Sequence, residues 1–276
     1  MSEASALERL LRRDRLVSAA ALALLCALAW AYVSAGAGLG MSALDMTRLS
    51  LFPHRTAAPE MPGMPTASMD WGLATWALVV AMWQAMMVAM MAPTAAPAIL
   101  LYARVCRHAQ ARGGATGLAP TWAFAAGYLL IWLAFAVAAA ALQWALQRAG
   151  LISAAMMGSQ SRWLSAGVLA IAGLYQLSPL QGACLDHCRS PAAFLTRRWR
   201  PGPAGAMRLG VEHGLYCLGC CGLLMVLLFV GGVMNLAWIA ALTLVVLAEK
   251  LLPGGRWTAR AAGVLLLAWS AATLVL

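Results

Sequence analysis

The stretch Thr121-Trp122-Ala123-Phe124-Ala125-Ala126-Gly127-Tyr128-Leu129-Leu130-Ile131-Trp132-Leu133-Ala134-Phe135-Ala136-Val137-Ala138-Ala139-Ala140-Ala141-Leu142-Gln143-Trp144-Ala145-Leu146 decides the fold. It carries no charged residue and exceeds the roughly 20 residues that take a helix across a bilayer's hydrocarbon core. In lipid, backbone N–H and C=O groups must be satisfied inside their own segment, so such a run reads as a spanning helix. On either side of it lie similar runs at 16–39, 71–92, 163–180, 209–230, 234–252 and 259–276. The sequence thus predicts an all-α fold, a polytopic transmembrane helix bundle of about seven spans. Only Gly231-Gly232-Val233 separates the fifth run from the sixth, so six spans remain if one is re-entrant. Arg9, Arg12, Arg13 and Arg15 precede the first run as in a signal peptide, and Ser34-Ala35-Gly36-Ala37-Gly38 imitates a cleavage site. The run is longer than a signal's apolar region of about 7–15 residues, which favours a retained helix.

Composition agrees. Of 276 residues 63% are hydrophobic and 10% charged, against about 25% charged in soluble domains. The net charge of +10 is not gathered on one face or stripe, which argues against nucleic acid as a partner. The basic residues sit in the breaks between apolar runs, where they act as topology signals. With the N-terminus in the cytoplasm, Arg9, Arg12, Arg13, Arg15, Arg104, Arg107, Arg112, Arg189, Arg197, Arg198, Arg200, Arg208, Lys250, Arg256 and Arg260 face inward. Only Arg48, Arg55, Arg148 and Arg162 then lie outside. Trp71, Trp76, Trp144 and Trp163 fall near outer helix ends and Trp122 and Trp257 near inner ones, as interfacial aromatic belts require. The chain reads as one integral membrane domain, residues 1–276, with the lipid bilayer as its first partner. Its long hydrophilic stretch, 40–70, forms an extracytoplasmic loop rich in Met41, Met46, Met61, Met64 and Met69 and in prolines that exclude a regular helix.

Three groups of residues carry candidate chemistry. Cys184, His187 and Cys188 lie just past the inner end of the fourth run, and His213, Cys217, Cys220 and Cys221 lie at the inner start of the fifth. At about 100° per residue, the last four share one helical face, and aligned thiolates and imidazoles bind soft or borderline metal ions. In the second run, Met82, Met86 and Met90 repeat at four-residue spacing, with Met87 and Met91 as a second row. Thioethers favour Cu(I), and a row of them offers successive weak sites without placing charge in lipid. Glu212, beside His213, is a candidate to orient that imidazole.

Blander readings stand beside these. Methionines in a membrane helix commonly serve as packing, and Cys26 and Cys106 read as small apolar side chains. His108 and His54 read as surface and loop. Cys217-Leu218-Gly219-Cys220 has redox spacing, but the topology puts it on the reducing side, where structural disulfides are rare. Glu249 and Lys250 read as interfacial anchors, and Gln176 and Asn235 as polar links between helices. No phosphate loop, nucleophile elbow or zinc-protease helix is present, and no catalytic residue is assigned.

Taken together, Met82-Trp83 with Met86-Met87-Val88-Ala89-Met90-Met91-Ala92-Pro93, Cys184 with His187-Cys188-Arg189-Ser190-Pro191, and Glu212-His213-Gly214-Leu215-Tyr216-Cys217-Leu218-Gly219-Cys220-Cys221 resemble a known pattern. It is that of a bacterial family of predicted metal-binding integral membrane proteins, long filed as a domain of unknown function, some members of which are labelled copper chaperone. Gly231-Gly232-Val233-Met234-Asn235-Leu236 and Glu249-Lys250-Leu251-Leu252-Pro253-Gly254-Gly255 extend the likeness, which covers roughly residues 70–255. The resemblance implies a polytopic inner-membrane protein that handles copper. The functional expectation is Cu(I) binding, for transport or for delivery to a membrane cuproenzyme. The alternatives are a non-transporting subunit holding fixed zinc or no metal, and a membrane oxidoreductase.

Overall fold

A computed structural model describes residues 2–38, 43, 44, 47, 71–111, 119–153 and 157–275. The methionines of the 40–70 stretch, together with Arg48, His54, Arg55 and Arg112, lie outside the described residues. The fold is all-α: apart from one isolated bridge between Ile152 and Ser159, no strand forms among the described residues. In chain order the helices are α1 (Ser2–Ser34), α2 (Leu73–Ala111), α3 (Ala119–Arg148), α4 (Arg162–Gln176) and α5 (Pro179–Arg189). There follow α6 (Pro191–Arg198), α7 (Gly202–Val226), α8 (Leu228–Gly231), α9 (Leu236–Leu251) and α10 (Gly255–Val275).

Five stretches are long and apolar enough to cross a membrane: Leu16–Ser34, Leu73–Ala109, Pro120–Arg148, Gly202–Gly231 and Gly255–Val275. A sixth qualifies if α4 and α5, bent by 64° at their junction, are taken as one. The sequence suggested about seven. The difference lies in two places where local chemistry cuts an apolar run short. At Leu177-Ser178 the chain turns because Pro179 cannot continue the i→i−4 ladder, and Ser178 Oγ caps the new helix by accepting from Gln181 N at 3.2 Å. Helix α9 has only 16 residues. Asn235 Oδ1 caps its start, accepting from Ala237 N at 3.1 Å. Its last residue precedes the extended Leu252, which Pro253 keeps out of the α region.

The opposite happens in α2. The second apolar run was read as 71–92, yet the helix runs on through Pro93 and Pro97. Pro93 has no N–H for the carbonyl of Ala89, one turn back. That carbonyl instead accepts from the indole Nε1 of Trp30 on α1, at 3.1 Å. A membrane helix tolerates an interior proline when a neighbour supplies the missing donor in this way.

The centre of the bundle is the α3–α7 contact, which small residues make close. A Cβ on Gly210 would fall 2.0 Å from the backbone oxygen of Phe124. Without side chains between them the two backbones approach, the usual route to tight helix packing in lipid. Around this pair α2, α5 and α9 close the interior, while α10 packs on α4 and α1 on α2.

Candidate metal centre

Helix α7 begins at Gly202, so Cys217 stands 15 residues inside it, about 22 Å at 1.5 Å per residue. Burial of Cys217, Cys220 and Cys221 places these thiols in the bundle interior. The shared face read from the spacing is real. His213, Cys217, Cys220 and Cys221 are 3%, 1%, 1% and 1% exposed.

Other helices bring partners to that face. Helix α5 crosses α7 at Gly219, where a Cβ would lie 2.7 Å from Cys184 Sγ, and Tyr175 Oη donates to Gly219 O at 2.5 Å. One turn on, Cys188 Sγ and Cys220 Sγ are 3.8 Å apart. From α2, Met91 Sδ lies 3.6 Å from Cys221 Sγ. From α3, Tyr128 Oη sits 3.1 Å from Cys217 Sγ and donates to Met91 O at 3.1 Å. From α9, Lys250 Nζ reaches Cys217 Sγ at 2.9 Å and Thr94 Oγ1 at 3.2 Å. The thiols of Cys220 and Cys221 also donate to Cys217 O, at 3.2 and 2.9 Å.

The donor chemistry suits a soft monovalent ion: thiols and a thioether, buried, with no carboxylate among them. Two thiolates that share an ion at about 2.3 Å stand no more than about 4.6 Å apart; the Cys188–Cys220 pair meets that limit. Among the described residues, however, no group of three or more histidine, cysteine, aspartate or glutamate side chains is arranged to hold a metal ion. Cys217 is in side-chain hydrogen-bonding reach of Cys188, Cys220 and Cys221, and its thiol is also held by Tyr128 and Lys250.

The remaining candidates are placed elsewhere. Met82, Met86, Met87 and Met90 are fully buried in the apolar core, and Met91 is the methionine that meets the cluster, through Cys221. His213 packs among the rings of Phe124, Tyr128 and Phe194, with centroids 5.6–5.9 Å away, and its Nδ1 has no hydrogen-bond partner among the described residues. His187 does not join the thiols. It is exposed, stacks on Tyr216 at 4.3 Å and pairs its Nδ1 with Ala183 O at 2.8 Å. Glu212 was expected to orient His213, but its carboxylate faces the basic side of α7, pairing with Arg198 at 2.9 Å and Arg208 at 3.4 Å. A carboxylate near two guanidiniums gains more there than beside a buried imidazole among aromatic rings.

Glu249 and Lys250 are the largest correction. Both were read as interfacial anchors, yet they are 1% and 8% exposed. Gln176 Nε2 donates to Glu249 Oε1 at 2.5 Å, linking α4 to α9 as a polar helix–helix bond. Arg189 Nη1 donates to Glu249 O at 2.5 Å and Nη2 to Pro253 O at 3.1 Å, which closes the C-terminal carbonyls of α9. A signal for their burial was in the sequence. Ile239, Leu242, Thr243, Val246, Glu249 and Lys250 form one stripe at three- and four-residue spacing, and all are buried. Tyr128 and Thr94 carried no comparable signal.

A helical bundle with membrane-length apolar helices and a buried sulfur cluster defines the class: an all-α membrane-type protein with soft-metal donors inside. The chain belongs to the PpoB2 family, described as copper chaperone, whose model matches residues 80–273. That match takes in α2 from its second turn, α3 to α9 and nearly all of α10, and so every residue of the cluster. Membership supports a copper-related role for the chain. No curated protein and no solved structure matches it.

Proposed function

We propose that this protein is a bacterial inner-membrane Cu(I) carrier that takes copper as cargo onto a buried sulfur cluster and passes it on, across the membrane or to a membrane cuproenzyme. Cys188, Cys217, Cys220, Cys221 and Met91 hold the ion, with Cys184 at the rim. The observation that carries this reading is the meeting of thiols from α5 and α7 with a thioether from α2 inside a copper-chaperone family's bundle. Because the donors come from three helices and Cys217 is also engaged by Lys250 and Tyr128, the ion is gained and released by exchanging these contacts in small side-chain motions. That behaviour suits a carrier better than a permanent cofactor.

The buried methionine row of α2 leads toward Met91 and offers weak sites ahead of strong ones, the order that inward movement needs. In this topology the N-terminus and the basic loops are cytoplasmic, and the whole chain acts as one membrane domain. The test is copper uptake into proteoliposomes supplied with Cu(I). Met86→Leu is expected to slow uptake several-fold while leaving cluster affinity intact, since Leu replaces Met with little volume change. Uptake unchanged in that variant rules out the methionine path. Copper retained stoichiometrically with no flux and no release to an acceptor favours the second reading, a subunit with a fixed ion.

A further inference from the structure

A lysine is an unusual neighbour for a cation site, and Lys250 is in contact with this one. Its Nζ lies 2.9 Å from Cys217 Sγ and 3.2 Å from Thr94 Oγ1, and it is within electrostatic reach of Cys188, Cys220 and Cys221 as well. Buried charge of this kind is expensive in an apolar bundle and marks function by default. An ammonium group only donates hydrogen bonds, so it cannot be a ligand while it stays charged. What it can do is set the charge of the site.

We infer that Lys250 is a specificity-determining residue, a fixed positive charge that makes the sulfur cluster favour monovalent over divalent soft cations. The inference rests on the proposed Cu(I)-carrier function. The contact distance and a metal–sulfur bond of about 2.3 Å place an ion held by Cys217 no more than about 5.2 Å from Nζ. At a given separation a fixed charge repels a divalent ion with twice the energy with which it repels a monovalent one. The buried surroundings keep that repulsion from being screened as it is at a wet surface. Thiolates alone attract Zn(II) more strongly than Cu(I) on charge. The ammonium offsets part of that advantage, and it also supplies a counter-charge for the negative charge that thiolates retain around a monovalent ion. Thr94 and the thiol of Cys217 hold it in place from α2 and α7. Its nearest acidic neighbour in sequence, Glu249, is within electrostatic reach but accepts its hydrogen bond from Gln176, while the ammonium's own hydrogen bonds go to Cys217 and Thr94.

The experiment is a pair of competition titrations, Cu(I) against a chromophoric Cu(I) chelator and Zn(II) against a zinc chelator, on the full-length protein in detergent without oxygen. Wild type is compared with Lys250→Gln, which keeps a hydrogen-bond donor for Thr94 but no charge, and Lys250→Arg, which keeps the charge. The expected result is a Cu(I)-to-Zn(II) affinity ratio at least tenfold lower in Lys250→Gln and within about threefold of wild type in Lys250→Arg. A purely structural lysine moves both metals together, so equal losses for Cu(I) and Zn(II), or a ratio unchanged in Lys250→Gln, overturn the inference while leaving the carrier function intact. Wild type that binds no Cu(I) overturns both.

Discussion

Two glycines on α7 show how differently a single methyl group acts along one helix. At Gly210 a Cβ would press on the backbone oxygen of Phe124 at 2.0 Å, and the backbone of α3 cannot withdraw without unpacking the bundle's central contact. At Gly219 the obstacle is Cys184 Sγ at 2.7 Å, the end of a half-buried side chain that can rotate away. Gly210→Ala is therefore expected to destabilise by about 1–3 kcal/mol or more, and Gly219→Ala by under about 1 kcal/mol, both read from thermal unfolding in detergent. Equal shifts in the two variants contradict the packing described for α3 and α7. At this scale the sequence was informative about residue type and weak about partners. Cys217, Cys220, Cys221 and Met91 were named from spacing and chemistry, and they do converge. His187 and Glu212 were named on the same grounds, but Tyr216 takes the first and Arg198 and Arg208 take the second. Nothing in the local sequence decides between a thiol, an aromatic ring and a guanidinium as partner.

Helix existence was legible and helix ends were not, for reasons that differ from helix to helix. Apolar length alone located α2, α3, α7 and α10. It placed the end of α2 at Ala92 because the donor that rescues the freed carbonyl belongs to Trp30, 59 residues earlier in the chain. Trp30→Phe keeps the ring and removes that donor. It is expected to cost about 1–3 kcal/mol, the penalty for a buried acceptor left unpaired, and to loosen amide exchange around Ala89 and Pro93. Normal stability and exchange in that variant show that α2 carries its proline without help from α1. The bend between α4 and α5 was hidden for the converse reason. The hydropathy of 163–180 is continuous, and only Ser178-Pro179 marks the new helix start. That bend turns α5 across α7 and delivers Cys188 to Cys220, so the cluster depends on it.

For the molecule as a whole, composition fixed the class at once, since a chain with 63% hydrophobic and 10% charged residues has too little polar surface for a water-soluble exterior. The depth of the site was less accessible. Hydropathy put the thiols at the inner start of the fifth run but gave no sign that α2, α3, α5 and α9 enclose them. Charged residues near the end of an apolar run were read as anchors in water, although the buried stripe of α9 continues through both Glu249 and Lys250. The central claim is that this enclosed sulfur cluster binds Cu(I). It is tested most directly by purifying the full-length protein without oxygen and with reduced thiols, loading it with Cu(I), and measuring bound metal by mass spectrometry beside Cys217→Ser/Cys220→Ser. The account predicts close to one copper per chain in wild type and its loss in the double variant; copper absent from wild type, or retained equally by the variant, contradicts it.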